Sequence, residues 1–165
     1  MSIGSVVTGK TLGVLRLEDR GLGSAIAWLQ ESSEIPLEII DTDEIIGQNV
    51  AFEMVERAKG GRYPSINVYC DRISNTLHEK FRSFSGKARL VLEIRVSKDR
   101  LEGVEQQLQW YAGALMRVLD TNRGDWGDGV YYAGGYEATF GSTKHGGKNF
   151  IQIGKITFEL DVNLS

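Results

Sequence analysis

The sequence predicts an α+β domain: a mostly antiparallel sheet of about four principal strands, packed by one long helix over residues 99–121, with further helices near the N-terminus. Three observations predict it. In Arg89-Leu-Val-Leu-Glu-Ile-Arg-Val96 every even position is apolar and the odd positions are Arg, Val, Glu and Arg, the period-two pattern of a strand with one face on a core and one in water. Directly afterwards Leu101, Val104, Leu108, Tyr111, Ala112, Leu115, Val118 and Leu119 recur at three- and four-residue steps, one apolar stripe along a helix. Beyond that helix, alternation returns in Val130–Phe140 and again in the last stretch from Asn149.

Taken in order, residues 1–10 are small and polar apart from Val6 and Val7 and read as a flexible N-terminal arm, with residues 11–165 as a single domain. Leu17 to Gln30 is the best helical part of the next stretch, with Glu18 and Asp19 near its positive end and Leu22, Ile26 and Leu29 on one face. Pro36 interrupts it, and Leu37–Ile40 has the composition of a short strand. Asp41 and Glu44 have capping-box spacing, and a second helical stretch is expected over 42–60, with Ile46, Val50, Met54 and Val55 on one side, ended by Gly60-Gly61. Tyr63-Pro64 opens a strand in which Ile66, Val68 and Cys70 share a face. Residues 71–86 show no clear period and read as a long connection ending in the antiparallel entry to the Ala88 strand.

Asp99 and Glu102 repeat the capping-box spacing at the head of the long helix. Thr121–Gly129 is a turn-rich loop with an exposed-looking Trp126. Val130–Phe140 reads as one strand with a glycine pair, Gly134-Gly135, at its middle, where a bulge or a close backbone approach is expected. Gly141–Lys148 is a basic hairpin loop. In the final strand the apolar positions are first odd (Ile151, Ile153) and then even (Ile156, Phe158, Leu160, Val162), which predicts a bulge at Gly154-Lys155.

At 165 residues, with ordinary apolar and charged content, the chain suits one globular domain with a substantial core. It has no apolar run long enough to span a membrane and no secretory pattern at Met1-Ser2-Ile3-Gly4-Ser5, so it is expected to work in the compartment where it is made. Cys70, the single cysteine, excludes an internal disulfide and a cysteine-based metal cluster. The net charge of −3 conceals a segregation. Residues 1–60 hold 5 Lys/Arg against 10 Asp/Glu (−5), residues 61–100 hold 9 against 4 (+5), and residues 101–165 hold 5 against 8 (−3). Such polarity suits charge-complementary self-association, and equally an unevenly charged solvated surface.

No catalytic constellation is legible, and the chain is read as a non-enzyme without cofactor or metal. Gly141–Lys148 fails the phosphate-loop spacing, since Gly147 stands where the lysine belongs and no Ser or Thr follows Lys148. His78 and His145 have no partner at metal-ligand spacing, no Gly-x-Ser-x-Gly is present, and Asp125 and Asp128 lack the terminal glutamate of a calcium loop. The basic segment 61–100, interleaved with Tyr63, Tyr69, Phe81 and Phe84, has the makings of a nucleic-acid surface, against which the acidic overall balance counts. Arg89 and Arg95, with Glu93 between them on one strand face, suggest cross-strand or cross-subunit pairing.

The element order (N-terminal helices, a Pro64-x-Ile66-x-Val68 strand, Arg89–Val96, a long helix, and two strands ending in Lys155-Ile-Thr-Phe-Glu-Leu-Asp-Val162) resembles the tail-terminator, or tail-completion, proteins of long-tailed bacteriophages over roughly residues 11–163. The resemblance implies a virion structural protein, assembled in the host cytoplasm, that forms a hexameric ring at the head-proximal end of the tail tube. It would stop tube polymerisation, join the tail to a head connector or neck protein, and let DNA pass through its lumen unread. Candidate subunit or partner contacts are Arg89, Glu93 and Arg95 on the strand, Arg123, Asp125 and Trp126 in one loop, and Lys144, His145 and Lys148 in another. Another neck or head–tail connector component, or a small nucleic-acid- or ligand-binding domain, is the alternative.

Overall fold

A computed structural model describes residues 2–51, 54 and 62–165. Its described part is α+β, with three α-helices and one mixed, mostly antiparallel sheet of eight strands. Twice the expected number of strands are present because 124–127 and 144–146, which read as loops, and 45–46, which reads as helix, form short strands, and Val130–Phe140 divides into two.

The first element corrects the expectation of an arm over residues 1–10. Helix α1 spans Ile3–Leu15, opened by Ser2, whose side chain accepts from the Ser5 amide at 3.1 Å. Val7, Thr11 and Leu15, four residues apart, are its buried stripe, and the Thr11 hydroxyl is satisfied by the Val7 carbonyl at 2.8 Å. Helix α2, Leu22–Ser33, starts later than expected, so Glu18 and Asp19 lie in the connection rather than in its first turn.

Leu37–Ile40 is not a strand, although Leu37 and Ile40 are buried; the segment is tied down where Tyr111 Oη donates to the Glu38 carbonyl at 2.8 Å. The helix expected over 42–60 does not start as one. Thr42–Glu44 is a single 3-10 turn, β1 (Ile45–Ile46) follows, and 47–51 has no regular structure; most of the remainder, including Val55, Arg57, Lys59 and Gly60-Gly61, lies outside the described residues.

Strand β2 (Ser65–Asn75) follows a cis Tyr63–Pro64 bond and pairs parallel with β1 and antiparallel with β3 (Phe84–Lys98). Residues 71–86 are therefore the continuation of β2, a hairpin tip, and the start of β3. Helix α3 spans Val104–Thr121, with its N-cap at Gly103, four residues later than the capping-box spacing predicts. Gly103, at φ 84°, precedes it in a left-handed conformation open to glycine, Asp99 makes no cap, and Leu101 is left exposed ahead of the helix. From Val104 onward the predicted stripe is the buried face.

The Thr121–Gly129 loop contains β4 (Gly124–Gly127), which forms a hairpin with β5 (Val130–Tyr132) through Asp128-Gly129, both at positive φ as this tight turn demands. Val130–Phe140 is not one strand: Gly134 and Gly135, at φ 106° and 88°, separate β5 from β6 (Glu137–Phe140). After β7 (Lys144–Gly146) comes β8, Asn149–Leu164. Along one edge β8 pairs with β3 in unbroken register from Phe150↔Lys98 to Leu164↔Phe84. Along its other edge it pairs successively with β7, β6 and β5. No bulge occurs at Gly154-Lys155; register shifts fall in β2, between Cys70 and Arg72, and in β4, between Asp125 and Gly127.

The switch of apolar parity in β8 has a different cause. Even residues of β3 and β8 face the helices throughout: Leu90, Leu92, Ile94, Ile156, Phe158, Leu160 and Val162 are all buried. Gly154 keeps to this face at a tight point, where a Cβ would sit 3.2 Å from the Leu108 and Phe140 side chains and press them back by a few tenths of an ångström. Ile151 and Ile153 are on the opposite face, which is covered at that end by residues 49–51 and 141–144. The covering layer on the helix side is shared: α1 lies on β2 and β3, α3 on β3 and β8, and α2 packs on α3, where the Arg117 guanidinium stands 3.9 Å over the Trp28 ring.

Candidate functional site

The face of β2, β3 and β8 turned away from the helices carries a band of charge, interrupted at Val91 and its partner Thr157. Odd residues of β3 put Lys87, Arg89, Glu93 and Arg95 there, and the pairing with β8 sets Asp161, Glu159 and Lys155 beside them. At the outer part of the band Arg89 grips Asp71 with both arms of its guanidinium, Nε to Oδ1 at 2.8 Å and Nη2 to Oδ2 at 3.0 Å. The β2 register shift makes this fork possible, because Asp71 is the residue left without a β3 partner. Lys87 Nζ lies 3.0 Å from Asp161 and 3.7 Å from Glu159, and these partners raise its pKa, the Asp161 hydrogen bond most of all.

Towards the other end the band is buried. Glu93 and Arg95, 8% and 3% exposed, stand two residues apart on one strand face, and Arg95 Nε donates to Glu93 Oε2 at 2.7 Å. Arg95 Nη2 also donates to Glu93 and to the Val50 carbonyl, which closes the 47–51 segment over it. With its amide oxygen turned towards Arg95, Asn67 accepts from Nη2 at 2.8 Å and Nη1 at 3.1 Å. Glu93 Oε1 accepts from Tyr69 Oη at 3.3 Å and has Lys155 Nζ at 3.7 Å. Burial first, then the charge and hydrogen bond of Glu93, push the Tyr69 phenol up to about 12. Each buried charge thus meets an opposite charge and further polar partners, the condition under which a buried pair is tolerated. A cleft of about 570 Å³ lies alongside, with Tyr69, Glu93, Lys144, Ile151 and Lys155 in its walls.

This geometry gives Arg89, Glu93 and Arg95 partners of the cross-strand alternative: Arg89–Asp71 and Lys155–Glu93 cross between strands, while Arg95–Glu93 lies along one. Their partners are in the same chain, and Arg95 is too buried to reach a neighbour. In the first loop Arg123 and Asp125 are exposed, and Trp126 is turned inwards. Trp126 is half-buried, 5.5 Å from Tyr132 and 6.1 Å from Phe158 between ring centres, and its Nε1 donates to the Asn122 carbonyl at 2.7 Å. It caps the end of the core rather than reaching outwards. Asp125 accepts from the Gly127 amide at 2.8 Å, Arg123 lies 3.6 Å from Asp120, and Lys10 holds Asp128 at 2.6 Å, binding the hairpin to α1 and lowering the Asp128 carboxyl pKa.

In the second loop Lys144, His145 and Lys148 are exposed, with His145 edge-on to Phe150 at 5.2 Å. The two loops do not share a surface. One flanks β8 near Val162 and the other near Phe150, twelve residues apart, or about 40 Å of strand. Sequence reasoning missed Asn67, Asp71 and Lys155, whose roles exist only through strand pairing. It also missed the β2–β3 tip, where Leu77 and Phe81 are 60% and 102% exposed. Asn75 and Ser85 flanking that tip are turn-forming types and were the available signal.

Among the described residues no group of three or more His, Cys, Asp or Glu side chains is arranged to hold a metal, and no helix is long and apolar enough to cross a membrane. The chain matches no family model and no curated protein sequence.

Proposed function

We propose that this chain is a virion structural protein, the tail terminator of a long-tailed bacteriophage, which forms a ring at the head-proximal end of the tail tube and joins it to a connector or neck protein. One observation supports this reading above the others. Two of the strands in the element order that carries the resemblance, Arg89–Val96 and Lys155–Val162, are direct partners in one long register, with α3 over their shared apolar face. They make a stiff two-layer plate whose other face is charged, and on that face the charges are largely cancelled in pairs: Lys87 by Asp161 and Glu159, Arg89 by Asp71, Arg95 and Lys155 by Glu93. A lumen that passes DNA without holding it needs such a surface, because unpaired Lys and Arg would bind phosphates and release counterions.

The test is imaging of the purified protein by negative stain, alone and with tail tubes, beside its mass by light scattering. Rings, or density capping tube ends, are the expected result; a protein that leaves tube ends bare and extending overturns the reading. The cleft beside Glu93 favours a second reading, a ligand-binding domain, which predicts a monomer whose thermal midpoint rises with a small polar ligand.

A further inference from the structure

The β2–β3 tip is built to be held open. Leu77 and Phe81 are its two apolar side chains, and both occupy left-handed backbone, at φ 49° and 70°, a region that costs free energy for residues with a Cβ. The backbone around them is pinned. Asn75 Oδ1 accepts from the amides of Leu77 and Ser85 at 3.2 and 3.1 Å. The Ser85 carbonyl accepts from Thr76 and His78, and Ser85 Oγ accepts from the Glu79 amide at 2.9 Å. Ser83 is anchored to the Leu164 carbonyl at 3.0 Å. A loop fixed this firmly, with two large apolar groups in water, is preorganised for contact. Its flanking charges are Lys80, Arg82 and the acid Glu79; Arg82 Nε donates to Glu79 Oε2 at 3.1 Å, so the tip's net charge of +1 rests on Lys80.

The opposite end of β2 has the complementary character. Residues 38–46 carry Glu38, Asp41, Asp43 and Glu44 and no basic residue; Glu44 lies 3.5 Å from Arg62, so the exposed acids are Glu38, Asp41 and Asp43, and among them Ile39 and Ile46 are 62% and 36% exposed. Ile45 pairs with Ile66, so this acidic, apolar patch sits nine residues along β2 from Asn75, about 30 Å from the root of the tip. A basic apolar knob and an acidic apolar patch at the two ends of one strand cannot satisfy each other within one molecule.

We infer that the tip at Leu77–Arg82 docks on the acidic patch of residues 38–46 of a second copy of this chain, a head-to-tail contact. Such a contact joins two different patches, so it repeats: it closes into a ring when the rotation per subunit allows, and otherwise extends as a filament. Closure rests on the ring reading above; the docking itself does not.

The experiment is sedimentation velocity over a wide concentration range, without tail tubes, on wild type, a K80E/R82E variant, a D41K/D43K variant, Phe81→Ser, and an equimolar mixture of the two charge variants. All substituted side chains are exposed, and circular dichroism checks that each variant is folded. Wild type is expected to associate, less so as salt rises. Each charge variant alone should associate on the order of 100-fold more weakly, since like charges then face each other. The mixture should recover association, because each tip then meets a patch of opposite sign, and Phe81→Ser should weaken it without affecting the fold. A wild type that stays monomeric, association that survives either charge variant, or a mixture that fails to recover overturns the inference. So does a monomer whose tip instead binds anionic vesicles. Because tubes are absent, these outcomes stand apart from the tail-terminator test, which reads only the capping of tube ends.

Discussion

Replacing Arg95 by Ala should be among the most damaging single changes on the charged face, and its cost can be worked from the contacts. The guanidinium is 3% exposed and serves three acceptors: Glu93, the Val50 carbonyl and Asn67. Removing it leaves the Glu93 carboxylate, with a side chain 10% exposed, holding only a long hydrogen bond from Tyr69 at 3.3 Å and Lys155 at 3.7 Å, itself half in water. Breaking a buried pair from one side costs about 3–5 kcal/mol, and the two remaining partners put this case near the lower end, about 3 kcal/mol. Arg89→Ala is the control. Its fork with Asp71 is open to solvent, which screens the pair, so its loss should be felt far less. In urea, with a slope of about 2 kcal/mol per molar, Arg95→Ala should lower the unfolding midpoint by about 1.5 M and Arg89→Ala by much less. The double change Arg95→Met with Glu93→Leu should recover most of the loss, because both buried charges then disappear together. Equal shifts for Arg95→Ala and Arg89→Ala would refute the reasoning and return Arg95 to the role of an ordinary surface charge.

Leu108→Ala and Leu115→Ala, both at fully buried positions of α3, should each destabilise by about 2–5 kcal/mol in the same denaturation assay; an unchanged midpoint would mean the helix turns another face to the sheet. Gly86→Ala should cost about 1–3 kcal/mol or more, since a Cβ there lies 1.9 Å from the Ser74 carbonyl and the β2–β3 pair must open to admit it; a wild-type melting temperature would contradict that pairing. Burial above all pushes Tyr69, Tyr111 and Tyr132 up to about 12 from an ordinary 10.0. Between those values the folded chain holds protons that the unfolded chain has lost. Stability from these phenols is therefore whole below pH 10 and declines as pH rises towards 12, which unfolding midpoints measured across that range should show.

Some of this molecule was determined by local sequence alone. The β3 strand, the α3 face from Val104 to Leu119 and the even-numbered apolar row of β8 were legible because burial on one side imposes a period of 2 or 3.6 on the residues themselves. The tertiary structure decided what those periods cannot encode. Helix α1 carries Gly4, Gly9 and Gly13 and so reads as weak, yet Val7, Thr11 and Leu15 are held by packing against β2 and β3, which outweighs propensity. Ile151 and Ile153 looked like evidence for a bulge because period-two reasoning assumes that one face is wet, whereas both faces of β8 are covered at that end. Arg95 looked like a surface charge for the same reason: its burial comes from the Val50 carbonyl, 45 residues earlier in the chain. The pairing of Arg89 with Asp71 depends on a register shift in a different strand, and the two ends of β2 become a basic knob and an acidic patch only once β1 pairs there. A local pattern records whether a residue is buried on average along its own element; which residues meet, and which charges are thereby cancelled, is set by contacts between distant segments, and those exist only in the folded chain.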